Sequence, residues 1–229
     1  MNRCQPAASR SLKRIFAATA LGCVIACADT AGLTQTGAIM IAIDKMTVGA
    51  APADFEFART GQGGPSQWTV VTDVTAPNGR AIEQTSTETT DYRFPLAIHK
   101  SLSAGNLDVT LRFKAVAGKV DQAGGIAIRL RDADNYYVVR ANALEDNIRF
   151  YRVVKSKREQ LEGADLKVTA NEWHQLGIRA EGERFTVTFD GKPLFTATDR
   201  TFASAGKIAL WTKADSVTRF DQIEIRPLP

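Results

Sequence analysis

Apolar residues alternate with polar ones along most of the chain from Trp68 onward. Clear runs of this kind cover residues 107–114, 126–131, 185–190 and 208–211. A period of two places alternate side chains on opposite faces of a β-strand, one towards a core and one towards water. No long stretch shows a helical period, apart from a weak pattern at residues 159–167. The sequence therefore predicts an all-β protein.

Turn signals separate the predicted strands. Asp190-Gly191 stands between the runs 185–189 and 192–197, and this dipeptide supplies the positive φ angles of a tight hairpin turn. Similar signals occur at Asn78-Gly79, residues 132–135, Glu181-Gly182 and Ala205-Gly206. Short strands joined by such turns are typical of an antiparallel sandwich or barrel. We expect one domain at residues 53–229, preceded by a tether at 28–52 whose apolar stretch, 39–43, favours a first edge strand.

The first 27 residues have the pattern of an export signal. Basic residues lie between Arg3 and Arg14, and the uncharged apolar run 15–28 that follows is too short to span a bilayer comfortably. Val24-Ile25-Ala26-Cys27 resembles a bacterial lipobox, which predicts cleavage before Cys27 and lipidation of that residue. Ala26-Cys27-Ala28 also fits the small-x-small rule of ordinary signal cleavage, so both forms of processing stay open. We expect an exported protein, either secreted or held in the periplasm or cell envelope by a lipid on Cys27, its one contact with a membrane.

The net charge of +4 comes entirely from this leader. The chain has 29 lysines and arginines and 25 aspartates and glutamates, and four of the basic residues but none of the acidic ones lie in residues 1–27. The rest of the chain therefore carries 25 residues of each sign, which argues against a nucleic-acid partner because no global field steers it to phosphate. All three cysteines, Cys4, Cys23 and Cys27, also lie in the leader, so the body has neither a disulfide nor a thiolate nucleophile.

Three sequence blocks carry a family resemblance: residues 124–129 (GGIAIR), 135–142 (NYYVVRAN) and 206–221 (GKIALWTKADSVTRFD). With Trp173-His174 and the Asp190-Gly191 hairpin between them, they resemble the concanavalin A-like lectin/glucanase superfamily, and within it the bacterial laminin-G-like domains and the 3-keto-disaccharide hydrolase-like group. The resemblance spans residues 55–225 and implies a two-sheet antiparallel jelly-roll β-sandwich with one concave sheet on which sugars bind. Because this fold hosts lectins, hydrolases and adhesion modules, it does not by itself assign an activity.

The alternation indicates which side chains share the outward face of the predicted concave sheet. Gly125, Ala127 and Ala209 are small, so they predict a recess, and rings, guanidinium groups and amides surround it. Sugar recognition uses this mixture of flat apolar faces and forked donors. The candidate carbohydrate-binding residues are Arg129, Tyr136, Arg140, Asn142, Arg149, Trp211 and Lys213. Trp211 would stack on a sugar ring, and the excess of basic residues in 129–158 would favour an acidic saccharide. The alternative is an ordinary solvated sheet face whose charges pair with one another.

The sequence assigns no catalytic residues. The glucanases of the superfamily carry a Glu-x-Asp-x-x-Glu pattern, and this chain lacks it. Asp221 and Glu224 are three positions apart, so a regular strand would point them to opposite faces. Asp132 and Asp215 are the acids expected near the rim of the recess.

Metal ligands are also scarce. Asp221, even with Glu56 as a partner, would supply too few oxygens for a calcium site. His99 and His174 are the only histidines, and two histidines are too few ligands for zinc when the body has no cysteine. His174 also stands at the same alternating positions as Leu176 and Ile178, so its side chain is expected to point inwards. The sequence predicts no metal and no cofactor.

Three functions are compatible with this pattern. A non-catalytic, lectin-like module that binds carbohydrate is preferred, because the ring-and-guanidinium face has the chemistry of a sugar site. A glycoside-cleaving hydrolase of the 3-keto-disaccharide hydrolase-like type is the second, and it requires an acid and a base on the same face. An adhesive envelope module that binds a protein is the third.

Overall fold

The alternating segments form strands in the computed structural model, which describes residues 37–229. In chain order the strands are β1 (Ile39–Met40), β2 (Phe55–Gly61), β3 (Trp68–Thr72), β4 (Arg80–Gln84), β5 (Arg93–Ala104), β6 (Leu107–Ala117), β7 (Ala123–Asp132), β8 (Asn135–Asn142), β9 (Asn147–Val154), β10 (Lys157–Asp165), β11 (His174–Glu181), β12 (Arg184–Phe189), β13 (Lys192–Thr198), β14 (Gly206–Trp211) and β15 (Val217–Pro227). A 3₁₀ turn, Ile43–Lys45, follows β1. Most of the weak helical pattern at 159–167 lies in β10, so it does not form a helix. The predicted export signal and Cys27 lie outside the described residues.

The strands assemble into two sheets. The seven-stranded sheet has the order β10-β9-β8-β7-β14-β5-β2, and the eight-stranded sheet has the order β13-β12-β11-β6-β15-β4-β3, with β1 paired to β15. The pairings in both sheets are antiparallel. This architecture confirms the predicted two-sheet antiparallel jelly-roll β-sandwich. Within residues 37–229, no helix is long and apolar enough to cross a bilayer.

The core between the sheets is built from residues that the alternation directs inwards. Tyr137, Ile208 and Leu210 of the seven-stranded sheet share a buried cluster with Phe185 of the eight-stranded sheet. The ring centroids of Tyr137 and Phe185 lie 4.7 Å apart, and the Tyr137 hydroxyl donates to Asp199 at 2.5 Å. Burial raises the pKa of Tyr137 to about 12, so the phenol remains a hydrogen-bond donor at neutral pH.

The Asp190-Gly191 hairpin forms as predicted. It joins β12 to β13, and the register pairs Phe189 with Lys192 directly across the turn. The φ angles of Asp190 and Gly191 are +46° and +74°. Two positive φ angles in a two-residue loop match the right-handed twist of the flanking strands.

The outward face of the seven-stranded sheet is also apolar and buried. A second cluster, distinct from the core between the sheets, contains Phe94, Tyr136, Tyr151 and Trp211. The Trp211 ring stacks on Phe94 with centroids 5.4 Å apart, and its Nε1 donates to the Tyr136 hydroxyl at 3.2 Å. The guanidinium of Arg158 lies 4.4 Å from the Tyr151 ring centroid and 4.9 Å from that of Phe94. These rings form a packed floor on which polar groups are positioned.

A β-bulge in β15 changes which of its side chains share a face. Gln222 has a φ of +46°, and the pairing register shifts between Asp221 and Glu224. Phe220 and Ile223 both lie in the core, so Asp221 and Glu224 both point outwards from the eight-stranded sheet. The expectation that these two acids lie on opposite faces is wrong, because the extra residue shifts the alternation by one position.

Candidate functional site

A group of polar side chains lies beyond the strand ends at one end of the seven-stranded sheet, where four connections meet. These connections join β4 to β5, β6 to β7, β8 to β9 and β14 to β15. We call this group the polar cluster, and its members are Asp91, Asp121, Arg140, Asn142, Glu145, Asn147 and Lys213. Hydrogen bonds and ion pairs join all of them into one network, although they come from distant parts of the chain.

Strand register carries the cluster onto the outward face of the sheet. Trp211, Gly125, Arg140 and Arg149 stand opposite one another on β14, β7, β8 and β9. A Cβ atom on Gly125 would lie 2.6 Å from the carbonyl oxygen of Val139, so this central position needs glycine. The predicted site residues that the fold brings together here are Arg140, Asn142, Arg149, Trp211 and Lys213.

Lys213 joins three of the connections through two carboxylates. Its Nζ lies 2.8 Å from Asp121 Oδ2 and 2.7 Å from Asp91 Oδ1. Asn142 donates from its side-chain amide to Asp121 Oδ1 at 2.8 Å. Burial opposes the charge of Lys213, but the bonds to Asp121 and Asp91 raise its pKa overall. The ammonium group therefore stays charged, and its side chain is 14% exposed, which leaves it within reach of a ligand.

Arg140 organises the other half of the cluster. Its guanidinium donates to Glu145 at 2.8 Å, to the Tyr151 hydroxyl at 3.2 Å and to the side-chain oxygen of Asn147. These bonds fix the planar group in one orientation. The Glu145 side chain is 45% exposed, so a carboxylate held by Arg140 faces solvent.

The two carboxylates that flank this network have opposite environments. Burial raises the pKa of Asp121 despite the ion pair with Lys213, and the charge of Glu145 acts in the same direction as burial. Burial also acts on Glu145, but the charge of Arg140 and the hydrogen bond from Asn147 hold the pKa of that carboxyl below its ordinary value. The two pKa values are therefore shifted in opposite directions from their ordinary values, as they are in acid–base pairs.

Asp91, Asp121 and Glu145 were not found from the sequence. Each lies in a connection rather than on an alternating strand, so the period of two gives no information about where its side chain points. The sequence signal that remains is position, because each of the three residues stands just before the start of a strand, and these strand ends lie at the same end of the sheet.

Tyr136 and Trp211 lie on the predicted face, but both are 0% exposed. Thr60 and Trp211 hydrogen-bond to the Tyr136 hydroxyl at 2.7 and 3.2 Å, and burial raises the pKa of Tyr136 to about 12. Arg149, by contrast, has a side chain that is 19% exposed. The rings therefore support the region from within the sheet, while the charged groups reach solvent.

Arg129 does not belong to this face, so that prediction is wrong. It has a φ of +48° at a register shift in β7. Its guanidinium donates to the carbonyl oxygens of Gly105, Gly182 and Phe202 at 2.8, 2.7 and 2.9 Å. The bulge reverses the alternation, so Leu130 joins the outward apolar cluster in place of Arg129.

Replacement of Arg129 by methionine is expected to lower the free energy of unfolding by about 2 kcal/mol, because three carbonyl groups lose a buried donor. Chemical denaturation of the parent and Arg129→Met proteins measures the difference. Arg131→Met, which changes an exposed side chain of the same strand, is the matched control. Equal stability of the parent and Arg129→Met would contradict the structural role of this residue.

The two rim acids expected from the sequence have structural partners. Asp215 accepts hydrogen bonds from the backbone N–H groups of Lys119, Val120 and Asp121, between 2.6 and 3.2 Å. Asp132 accepts from the backbone of Asp134 at 2.8 Å and thereby closes the turn between β7 and β8. Both carboxylates stabilise connections between strands through hydrogen bonds to the backbone, and neither faces the predicted recess.

The residues considered as metal ligands are dispersed. Glu56 pairs with Lys207 at 2.5 Å, whereas Asp221 lies on the outward face of the other sheet. His174 is buried and its Nδ1 lies 2.9 Å from Asp190. Within residues 37–229, no group of three or more histidine, cysteine, aspartate or glutamate side chains could hold a metal ion.

The two antiparallel sheets place the chain among the jelly-roll β-sandwich proteins, a fold that carries many unrelated functions. Its structure is similar to the carbohydrate-binding module CBM66 from Bacillus subtilis, with a TM-score of 0.58 and 19% identity over 70% of this chain and 92% of that chain. It is also similar to the β-glucanase of Bacillus licheniformis, with a TM-score of 0.53 and 12% identity over 80% of this chain and 96% of that one. At these identities the likeness shows the fold alone. None of the curated proteins compared with the chain matches it.

The family follows from a match along the chain itself. The model of the 3-keto-alpha-glucoside-1,2-lyase-like domain matches residues 58–226, which is more than half of the sequence. The chain belongs to this family. The match confirms the resemblance to the concanavalin A-like superfamily and to its 3-keto-disaccharide hydrolase-like group.

Proposed function

We propose that the chain is an exported carbohydrate-binding domain that holds a sugar at the polar cluster. The observation that carries this proposal is the continuous network from Asp91 to Asn147, in which cationic donors, carboxylate acceptors and amides stand side by side. A sugar hydroxyl both donates and accepts, so adjacent groups of both kinds suit pairs of neighbouring hydroxyls. The export pattern of the leader agrees with a protein that meets glycans outside the cytoplasm.

The partly exposed groups make the direct contacts in this proposal. Lys213 and Arg149 donate to hydroxyl oxygens, and Glu145 accepts from hydroxyl protons. Trp211 lies beside them as a buried floor, with the guanidinium of Arg158 6.0 Å from its ring centroid. Stacking of a sugar on Trp211, the role predicted from the sequence, requires Arg158 to move aside and stays a prediction.

The charge balance of the region favours a neutral saccharide. Arg140 pairs with Glu145, Arg149 with Asp165, and Arg152 with Asp199. The excess of basic residues in 129–158 therefore does not concentrate as unpaired charge on the polar cluster. A neutral sugar fits these paired groups better than the acidic saccharide suggested by composition.

Arg149→Ala is expected to weaken saccharide binding about fivefold, because it removes charged donors from the exposed part of the face. Calorimetric titration with methyl α-glucoside, maltose, sucrose and trehalose measures the affinity. Arg152→Ala is the matched control, since Arg152 is on the same strand and pairs with Asp199 on the opposite face. Equal affinities of the parent and Arg149→Ala, or no heat with any of these sugars, would contradict the proposal.

A glycoside-cleaving activity is the second candidate, and the opposite pKa shifts of Asp121 and Glu145 favour it. The family is described by a 1,2-lyase of 3-keto-α-glucosides. In such an elimination a base removes the C2 proton, which the C3 ketone acidifies, and the electron pair of that C–H bond is held as the enolate. The C1–C2 double bond forms as the C1–O bond breaks, and an acid protonates the departing oxygen. Ionised Glu145 would be the base, and Asp121 would be the acid in molecules whose Asp121 carboxyl has taken up a proton from solvent.

This second candidate predicts that Glu145→Gln lowers turnover of an aryl 3-keto-α-glucoside by about a hundredfold or more. Release of the aryl alcohol measures the rate, and the near-ultraviolet circular dichroism of the same variant checks that its packing is intact. Glu181→Gln, an exposed glutamate paired with Arg179, is the matched control. A parent protein that binds sugars and turns over neither 3-keto nor ordinary glucosides would leave the binding module as the function.

A further inference from the structure

Arg158 is a cation without a counter-ion on the outward face of the seven-stranded sheet. It stands on β10 opposite Val153 of β9, which belongs to the outward apolar cluster. Its guanidinium lies 4.4 Å from the ring centroid of Tyr151, 4.9 Å from that of Phe94 and 6.0 Å from that of Trp211. Among residues 37–229, no aspartate or glutamate forms an ion pair with it. The three rings therefore hold a positive charge that no ion pair balances.

One nitrogen of this guanidinium is enclosed and unused. Arg158 Nη1 is buried and has no hydrogen-bond partner within the part of the chain that the structure describes. Aromatic rings attract the charge through their faces, but they do not replace the oxygen acceptors that guanidinium N–H groups bind. A buried donor without an acceptor destabilises a fold, so an oxygen atom supplied by a ligand would be bound favourably at this position.

Arg158 differs in this respect from the arginines of β8 and β9. Each of those has a carboxylate partner: Arg140 with Glu145, Arg149 with Asp165 and Arg152 with Glu159. Paired groups of this kind suit the hydroxyl groups of a neutral sugar ring. Arg158 has its charge and its donors free, which is the chemistry that binds a carboxylate.

The surroundings of Arg158 do not supply the missing acceptor. Asp134, in the turn between β7 and β8, accepts a hydrogen bond from the Ser156 hydroxyl at 2.5 Å. Lys155 and Lys157 are exposed on the hairpin of β9 and β10, so they add positive charge beside Arg158. The local field therefore favours an anion as the partner of this guanidinium.

The ring of Tyr151 connects Arg158 to the polar cluster. The guanidinium of Arg140 lies 5.8 Å from the centroid of this ring, and the guanidinium of Arg158 lies 4.4 Å from it. The two guanidinium groups are therefore at most about 10 Å apart. One pyranose ring with a hydrogen bond at each side covers that separation.

We propose that Arg158 binds the carboxylate of an acidic saccharide whose sugar ring lies at the polar cluster. This role of Arg158 rests on the proposed function of the polar cluster, and it adds that the ligand carries an anionic group. The hydroxyl groups of the sugar meet the paired charges of the cluster, and the carboxylate meets the one unpaired cation beside it. Arg158 stays above Trp211 in this arrangement and takes the place of the ring as the contact with the ligand.

Calorimetric titration of the full chain with methyl α-glucoside and methyl α-glucuronide tests this role, because the two sugars differ only in the oxidation of C6. The parent protein should bind the glucuronide at least about tenfold more tightly, and added salt should reduce this advantage. Arg158→Met keeps an apolar side chain against the rings and removes the charge. It should lose the glucuronide advantage and keep its affinity for methyl α-glucoside within about twofold. Lys157→Met removes an equal charge from the adjacent position, on the other side of β10, and should bind like the parent.

The outcomes separate the role of Arg158 from the proposed function. Equal affinity of the parent for the two sugars, or a glucuronide advantage that survives in Arg158→Met, overturns the acidic ligand and leaves sugar binding at the polar cluster in place. Binding of neither sugar overturns the proposed function and the role of Arg158 with it. The comparison of the two sugars on the parent protein requires no variant, so it decides the question even if Arg158→Met does not fold.

Discussion

The Lys213→Met variant should bind saccharide more than about tenfold more weakly than the parent, because it removes the charged donor at the centre of the polar cluster. It should also lose about 3 kcal/mol of stability at neutral pH, because Asp121, which is 1% exposed, is left without its ion-pair partner. Burial already raises the pKa of Asp121, so the carboxyl takes up a proton as the pH falls and the stability loss should shrink in acid. Calorimetric titration and chemical denaturation at two pH values measure both effects.

Two further variants separate binding from stability. The Lys213→Met/Asp121→Asn double variant has no uncompensated buried charge, so its stability should return towards that of the parent while its binding stays weak. Lys207→Met, at the other end of β14, changes a half-exposed lysine paired with Glu56 and should affect neither property strongly. Saccharide binding by Lys213→Met at the parent affinity would show that the cluster is not the site.

The Asp73→Asn variant should lose about 3 kcal/mol of stability at neutral pH, because it leaves a buried lysine without its counter-charge. Asp73 lies 2.5 Å from Lys114 and 3.0 Å from Arg219, and Lys114 is 7% exposed. These residues lie at the outward face of the eight-stranded sheet, away from the polar cluster. Sugar binding should therefore be unchanged at temperatures where the variant is folded.

The stability that Asp73→Asn loses should decrease as the pH falls. Burial opposes ionisation of Asp73, but the hydrogen bonds from Lys114, Thr75 and Arg219 hold its pKa far below the ordinary value of 3.8. A carboxyl whose pKa is lowered by folding contributes stability above its unfolded pKa and loses that contribution as the pH falls through the folded pKa. The gap between the parent and Asp73→Asn should thus be widest at neutral pH and close in strong acid.

Thermal unfolding of both proteins from pH 7 down to pH 2 measures this gap. Asp108→Asn is the matched control, because Asp108 on the same sheet pairs with a 41% exposed Arg179 at 3.4 Å and should contribute little. A gap that does not vary with pH would be inconsistent with the ion-pair account of Asp73.

The architecture follows from the alternation because most strands bury one face against the other sheet. The runs that contain Ile126, Phe185 and Ile208 point these residues into the core, as the period of two requires. The Asp190-Gly191 turn forms because few residues other than glycine and aspartate or asparagine accept two consecutive positive φ angles. At these positions the conformation that the local sequence favours is also the one that the packing of the two sheets requires.

The alternation predicts the wrong face at two places, at Arg129 and at the pair Asp221 and Glu224, and both errors have the same physical cause. Arg129 and Gln222 both occupy positive-φ positions at β-bulges. Neither is a glycine or an asparagine, the residues from which a bulge could be predicted in the sequence. At Arg129 the strain is offset by three hydrogen bonds from the guanidinium to distant carbonyl groups. Such contacts are set by tertiary packing, so the local sequence does not contain them.

About half of the candidate site could be predicted, because the alternation gives the direction of a side chain only for residues on strands. Arg140, Arg149 and Trp211 lie on strands, and the period of two put them on one face. Asp121 and Glu145 lie in connections, and only the pairing of β7 with β8 and of β8 with β9 brings them to Arg140 and Lys213. The burial of Trp211 also depends on Arg158 and Phe94, which alternation alone does not bring to it.

The most direct test of the account is a map of the sugar on the protein surface. Nuclear magnetic resonance titration of the chain with maltose should shift the backbone signals of Asp121, Asn142 and Lys213, and leave those of Thr110 and Gln175 on the eight-stranded sheet in place. Shifts confined to the eight-stranded sheet, with the polar cluster unchanged at saturation, would contradict the claim that sugar binds to the seven-stranded sheet.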